Sequence, residues 1–262
     1  MTESVNKLPI SVCLISGAEA GRIGKALESV SGWTSEIIVV LNEEVRDGTE
    51  EIALSHGAKV FREPWRGFIG QKNSAAARAS HPWILGLDAD EVVSPQLREE
   101  ITRTMEAGID PSVGAWQFPR CTFYFGRWIR HGDWYPDRVT RLWRKNDAQW
   151  TGIEPHAYLQ VTGKILRLKR DLLHYSNQGI DQQISKIAPY SGDFVRHQLE
   201  QNKRSGAFEL VLRPLWRFIR AYLFRLGFLD GWPGYYIAWL TAFSTLTRYM
   251  KVLEARQESS PK

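Results

Sequence analysis

The stretch Trp83-Ile84-Leu85-Gly86-Leu87-Asp88-Ala89-Asp90-Glu91 begins as a buried strand and ends as a cluster of carboxylates. Five residues without a polar interruption suit a strand covered on both faces, the pattern of a parallel sheet. The acids follow at once, where the strand leaves the core. In an open sheet of parallel strands, ligands bind beyond the carboxyl ends of the strands. These nine residues therefore predict both a fold class and the edge on which to look for a site.

Upstream, the pattern repeats. Residues 9–15 (PISVCLI), 36–41 (EIIVVL) and 58–61 (AKVF) read as strands. Between them lie helical stretches: residues 21–30, with Ile23, Ala26, Leu27 and Val30 at helical spacing; residues 49–56, ended by Gly57; and the alanine-rich residues 70–79. Strands alternating with helices predict βαβ units and an α/β fold with helices on both faces of the sheet. The residues after the strands are then Ser16-Gly17-Ala18-Glu19, Asn42-Glu43-Glu44 with Asp47-Gly48-Thr49, and Asp88-Ala89-Asp90-Glu91, all on one edge.

Downstream, Ser94 and Pro95 mark a helix start. Residues 114–174 change character to short strands and aromatic loops. Residues 181–203 read as helix interrupted near Pro189. In the C-terminal segment Arg213, Arg217 and Arg220 share one helical face among large apolar residues. Residues 232–247 carry no charge, but the run is shorter than the ~20 apolar residues that span a bilayer, and Pro233 and Gly234 fall inside it. This segment is expected to lie in a membrane interface. The division expected is a catalytic domain over residues 1–175, a helical, membrane-associating segment over 176–256 and a polar tail over 257–262.

Composition agrees with a folded chain: 43% hydrophobic and 24% charged over 262 residues excludes a disordered chain and a polytopic membrane protein. The net charge of +5 favours anionic partners. Cys13 and Cys121 lie in apolar runs without metal-ligand spacing, which suits buried thiols in a reducing cytoplasm. Residues 1–7 lack the apolar core of a signal peptide. No nucleic-acid-binding motif is visible, and none of that partner class is expected.

Two aspartates separated by one small residue, at the exit of a buried strand, can aim both carboxylates at one hard cation, and Mg²⁺ or Mn²⁺ is commonly shared with substrate phosphates. Asp88 and Asp90 are the expected metal ligands, with Ala89 leaving room for a diphosphate.

In order, PISVCLISGAEAGRIGKALESV, EIIVVLNEEVRDGTEEIALSHGAKVF and GFIGQKNSAAARASHPWILGLDADE resemble the family 2 glycosyltransferases of the GT-A fold, over residues 8–175. GRWIRHGDWYPDRVTRLWRK and RPLWRFIRAYLFRLGFLDGW make the chain similar, within that family, to bacterial lipopolysaccharide core glycosyltransferases of the heptose-glucosylating type, to about residue 253. The resemblance implies a nucleoside-diphosphate sugar donor, a UDP-sugar, lying across the sheet edge. Ser16, Glu19, Asn42 and Asp47 would hold the base and ribose, Asp88 and Asp90 the divalent ion on the diphosphate, and Lys72 a phosphate. It implies inverting transfer of a hexose to a lipid-linked glycan, at the inner face of the cytoplasmic membrane with peripheral contact to anionic lipid.

The match has departures. Ala18 stands before Glu19 where relatives have Asn, and Asn42 replaces an Asp after the second strand. Relatives carry a His-acid pair where this chain has His156-Ala157. The catalytic base is therefore sought at Glu154 first and Asp137 second, with His156 beside them. Two other readings compete. A sugar-phosphate nucleotidyltransferase would share the sheet and the acidic site, but it usually carries a glycine-rich basic loop that SGAEAGRIGK does not reproduce. A non-catalytic membrane-binding protein would rely on the basic tail alone.

Overall fold

The computed structural model describes residues 7–154, 156–176, 179–187, 191–201, 206 and 208–258. The chain divides into two compact units, the first made of Met1–Arg120 and Asp137–Tyr175, the second of Cys121–Pro136 and Ser176–Lys262.

The first unit is built on four parallel strands: β1 (Leu8–Ser16), β2 (Thr34–Asn42), β3 (Lys59–Glu63) and β4 (Trp83–Asp88), ordered β3-β2-β1-β4. Helices α1 (Ile23–Val30), α2 (Thr49–Ser55) and α3 (Gly67–Ala77) make the crossovers. Strand burial is nearly continuous because both faces are covered. On one face Val12, Leu14, Val39, Leu85 and Leu87 pack with Ile23 and Leu27 of α1; on the other Cys13, Ile38, Val40 and Ile84 meet Ala75 of α3.

Beyond β4 the sheet changes sense. β8 (Asp137–Arg144) runs antiparallel to β4, and β6 (Val113–Tyr124) antiparallel to β8. The order continues through β12 (Leu172–Tyr175) to β5 (Glu91–Val93). Strand β5 was not read from the sequence: the residues after the aspartates pair antiparallel with β12, His174 opposite Glu91. Helix α4 (Pro95–Glu106) starts as expected, with Ser94 Oγ accepting from the Leu97 N–H at 3.1 Å. β9 (Ala148–Ile153) and β10 (His156–Val161) form a separate hairpin, and β11 (Lys164–Arg167) edges β6.

In the second unit β7 (Arg127–Ile129) pairs with the end of β6. Helices α5 (Ile180–Ile187) and α6 (Gly192–Glu200) occupy the expected helical stretch, while Pro189 lies outside the described residues. A helical run over residues 208–224, with α7 (Arg213–Ile219) between two π-helical turns, leads through a tight turn, Gly227–Asp230, into α8 (Gly231–Glu258). Pro233 and Gly234 lie inside the first turn of this helix. Proline is tolerated in a first helical turn, where its missing N–H is no loss. A Cβ at Gly234 would lie 1.9 Å from the Gly227 carbonyl oxygen, so the glycine permits the close approach of the turn. No helix among the described residues is long and apolar enough to cross a membrane.

Candidate active site

The register of the parallel strands brings the candidate residues to one edge. Ile15 pairs with Asp88, Ser16 with Leu41 and Asn42 with Glu63, so β1, β2 and β4 end together. The methyl of Ala89, expected to leave room for a ligand, is instead packed into the core, and the carboxylates on either side of it stay partly exposed.

The two aspartates differ in their surroundings. Asp88 Oδ1 accepts from Lys72 Nζ at 2.7 Å, and Oδ2 accepts from Arg141 Nη2. Burial pushes this carboxyl up, but Arg141 and Lys72 outweigh it and hold Asp88 well below the usual carboxylate range. Burial and the Arg141 charge both lower the Lys72 ammonium. The indole of Trp150 lies under both cations, 4.6 Å from Lys72 Nζ and 5.5 Å from the Arg141 guanidinium carbon. Asn73 fixes that tryptophan by exchanging two hydrogen bonds with its backbone, at 2.9 and 3.0 Å.

Behind Asp88 stands Glu91, wholly buried. Its Oε1 accepts from Arg141 Nη2 and Arg120 Nη1, each at 3.0 Å, and its Oε2 accepts from the Asp88 N–H at 3.0 Å. Arg141 is itself buried, and its Nε has no partner among the described residues, so the guanidinium keeps donor capacity at the site.

Asp90 faces His174, with Nε2 3.4 Å from Oδ2, and Arg22 at 3.9 Å. Burial raises its carboxyl, but the His174 hydrogen bond and the charges of His174 and Arg22 together hold it below its ordinary value. Arg22 Nε also donates to Glu19 Oε2 at 2.7 Å. Asp47 joins the loops after β1 and β2: it accepts from the Thr49 hydroxyl at 2.6 Å and the Ala20 N–H at 3.1 Å, and these bonds lower its carboxyl. Asn42 Oδ1 takes the Glu44 N–H at 3.2 Å, and Ser16, buried, donates to the Gly17 carbonyl.

Both carboxylates considered as bases are engaged. Asp137 accepts from Arg120 Nε and Nη2 through one oxygen, at 2.9 and 2.7 Å. Glu154 Oε1 accepts from the Ile69 N–H at 2.8 Å and so closes the amino end of α3, where positive charge gathers. Gly67, at φ +77°, makes space for it, since a Cβ there would lie 2.7 Å from that oxygen. Glu154 is exposed, and its second oxygen has no donor among the described residues. His156 begins β10 opposite Ile153; its side chain lies outside the described residues.

Among the described residues no three His, Cys, Asp or Glu side chains gather as a metal cage. The donor set nevertheless discriminates between the two aspartates. A cation at Asp88 would face Lys72 and Arg141 in direct contact with both oxygens, whereas Asp90 has Arg22 only at 3.9 Å and His174 beside it as a nitrogen donor.

The model of the family described as glycosyl transferase family 2 matches residues 11–163, more than half of the chain, including Asp88, Asp90, Lys72 and Arg141. The chain belongs to glycosyltransferase family 2. This family 2 enzyme is 30% identical over 265 residues to an uncharacterized glycosyltransferase of Rickettsia prowazekii, covering 95% of this chain and 88% of that one. It is 30% identical over 266 residues to the lipopolysaccharide core biosynthesis glycosyltransferase LpsC of Rhizobium meliloti, covering 96% of both. Its fold matches Staphylococcus aureus TarS residues 1–349, solved in complex with UDP-GlcNAc, with a TM-score of 0.52 at 14% identity, over 97% of this chain and 93% of that one. The fold of the glycosyltransferase is GT-A, as expected from the sequence.

Two residues at this edge were not anticipated, Arg141 and His174, and Glu91, expected at the edge, is buried beneath it as their structural partner. Arg141 left a signal. It sits in Val139-Thr140-Arg141-Leu142-Trp143, on the face that alternation assigns to Trp143, and a cation buried among apolar neighbours demands a counter-charge. His174, and the burial of Glu91, left none, because both depend on the pairing of β5 with β12, two strands of three and four residues far apart in sequence.

Proposed function

We propose that this glycosyltransferase moves a hexose, with inversion, from a UDP-sugar to a hydroxyl of a lipid-linked glycan, the lipopolysaccharide core. We place it at the inner face of the cytoplasmic membrane, in peripheral contact with anionic lipid. The observation that carries the reading is the convergence of Lys72 and Arg141 on Asp88 at the end of β4, next to Asp90 and His174. Two cations held over an indole, one with unspent donors, suit a diphosphate. The acceptor class rests on the likeness to LpsC.

In this reading Ser16, Glu19, Asn42 and Asp47 line the base and ribose end, and Lys72 and Arg141 bind the diphosphate. Asp90, with His174, would hold a divalent cation, Mg²⁺ or Mn²⁺, and Asp88 aims the two basic side chains. The cation, when bound, offsets charge developing on the leaving diphosphate. The acceptor oxygen forms a bond to the anomeric carbon as the bond from that carbon to the diphosphate oxygen breaks. A carboxylate takes the acceptor proton. Glu154 is assigned this role over Asp137, because two nitrogens of Arg120 already occupy one oxygen of the latter.

Incubation with UDP-hexoses, Mn²⁺ and a heptosylated lipid core, followed by chromatography of released UDP, tests the assignment. UDP release that requires both acceptor and metal is expected. Release of pyrophosphate from a nucleoside triphosphate and a sugar phosphate would instead mark a nucleotidyltransferase.

A further inference from the structure

The second unit exposes an unusual amount of apolar surface at the turn between its two long helical segments. Leu223, Phe224, Leu226, Phe228, Leu229 and Trp232 fall within ten residues, and all are exposed, Phe224 at 69% and Trp232 at 83%. They are not the by-product of a poorly packed hairpin. The inner faces of the two segments meet, with Phe218 and Trp239 rings 4.6 Å apart and Ala221, Ile237 and Ala238 buried. The turn is also fastened. Asp230, buried, accepts from the N–H groups of Arg130 and His131 at 3.1 and 2.8 Å. A rigid tip with large apolar side chains turned outward marks an interaction surface.

Charge identifies the partner. Arg217, Arg220 and Arg225, on the segment that leads into the tip, all reach one carboxylate, Asp133, at 3.1, 2.8 and 3.0 Å. Three guanidiniums sharing one carboxylate leave the cluster positive. Each remains a third or more exposed, and Arg217 and Arg220 each spend one nitrogen on Asp133, so most of their N–H groups stay available. A second copy docking by a two-fold contact would bring this cluster against itself, which like charge disfavours. Phosphate at a bilayer surface, above acyl chains that accept Phe, Leu and Trp, complements both features.

We propose that the tip over residues 223–232 is a membrane-docking element, seated in the headgroup region of an anionic phospholipid bilayer, with Arg217, Arg220 and Arg225 donating to lipid phosphate. The proposal locates the membrane contact on which the reading above depends; it does not need the catalytic assignment. It is also consistent with a surface element, since no described helix is long and apolar enough to span.

Vesicle sedimentation of the full chain tests it. Wild-type protein is expected to bind vesicles of phosphatidylcholine with phosphatidylglycerol at least about tenfold more tightly than phosphatidylcholine alone, and to lose about tenfold between about 0.1 M and 0.5 M salt. The double variant F224S/W232S alters only exposed side chains and is expected to lose about tenfold on the anionic vesicles, with melting temperature and UDP affinity unchanged. Equal binding by wild type and variant, or no preference of the wild type for anionic vesicles, overturns the proposal. So does concentration-dependent self-association, without vesicles, that the double variant abolishes, because the tip would then serve a second copy. UDP affinity is read separately: vesicle binding without UDP binding sinks the catalytic reading and leaves this one standing.

Discussion

Glu91 and Arg141 form an ion pair, Oε1 to Nη2 at 3.0 Å, in which the carboxylate is fully buried and the guanidinium nearly so. The same carboxylate holds Arg120 and the Asp88 N–H. It therefore ties the acidic loop to β6 and β8, the two strands that extend the parallel sheet. Breaking a buried pair from one side leaves an uncompensated charge, at about 3–5 kcal/mol. Glu91→Ala is expected to lower unfolding stability by that order, seen as a shift of the urea midpoint. Glu91→Gln, which keeps the shape, is expected to lose less. An unchanged midpoint for Glu91→Ala would show that the pair does not brace the loop.

Lys72 and Arg141 are assigned to the diphosphate, and the two should not respond alike to conservative change. Arg141→Lys keeps the charge but not the guanidinium, whose Nη2 meets both Asp88 and Glu91 and whose other nitrogens a lysine lacks. UDP affinity, measured by calorimetry, is expected to fall about tenfold or more, equivalent to about 1.4 kcal/mol. Lys72→Met removes a charge over Trp150 and is expected to cost a similar factor. Wild-type UDP affinity in both variants would remove the diphosphate from this edge.

The two aspartates offer a sharper test. Asp90→Asn and His174→Ala are expected to abolish the gain in UDP affinity that Mn²⁺ brings, and to leave the metal-free affinity within about twofold. Asp88→Asn is expected to weaken UDP binding with and without Mn²⁺, because it releases Lys72 and Arg141. If Asp88→Asn alone removed the metal dependence, the assignment of the two acids would be reversed.

Much of the first unit was legible because its signals are local. EIIVVL is a strand whatever surrounds it, Gly57 does adopt the left-handed conformation of a helix end, and Ser94 caps the helix it was expected to start. Strand register then places Ser16, Asn42 and Asp88 on one edge without further information. What escaped was set by distant pairing. His174 meets Asp90 only because β12 lies along β5, and Glu154 reaches Ile69 only because Asn73 and Trp150 dock the β9–β10 hairpin on α3. The start of α8 follows from local signals too: Pro233 falls in the first turn, a position fixed by the preceding tight turn.

At the opposite end of the sheet, Glu36 supplies a pH dependence unconnected with the reaction. Buried between β1 and β3, it accepts from Lys59 Nζ at 2.7 Å, Ser11 Oγ at 2.6 Å and the Ser80 N–H at 2.8 Å. Burial pushes the carboxyl up, but these bonds together bring it down to about 2. A carboxyl lowered on folding stabilises the protein above its unfolded pKa of about 4.3 and loses that contribution as pH falls toward the folded value. Glu36→Gln is therefore expected to be less stable than wild type by about 3 kcal/mol at neutral pH, with the gap closing between about pH 4.5 and pH 2. Melting temperatures recorded across that window decide it, and a gap independent of pH would mean that packing, not ionisation, is what Glu36 contributes.

The choice of base can be settled by variants that keep the fold. Glu154→Gln retains an oxygen for the Ile69 N–H, so the amino end of α3 stays closed while the proton acceptor is lost. If Glu154 takes the acceptor proton, kcat is expected to fall by about 10²–10⁴ with UDP affinity and melting temperature near wild type. Asp137→Asn weakens the grip of Arg120, whose guanidinium also serves Glu91. Its effect is expected chiefly in stability, with kcat within about tenfold. The reverse result, a collapse of kcat in Asp137→Asn beside an active Glu154→Gln, would move the base to the start of β8 and leave Glu154 as the structural cap that its bond to Ile69 describes.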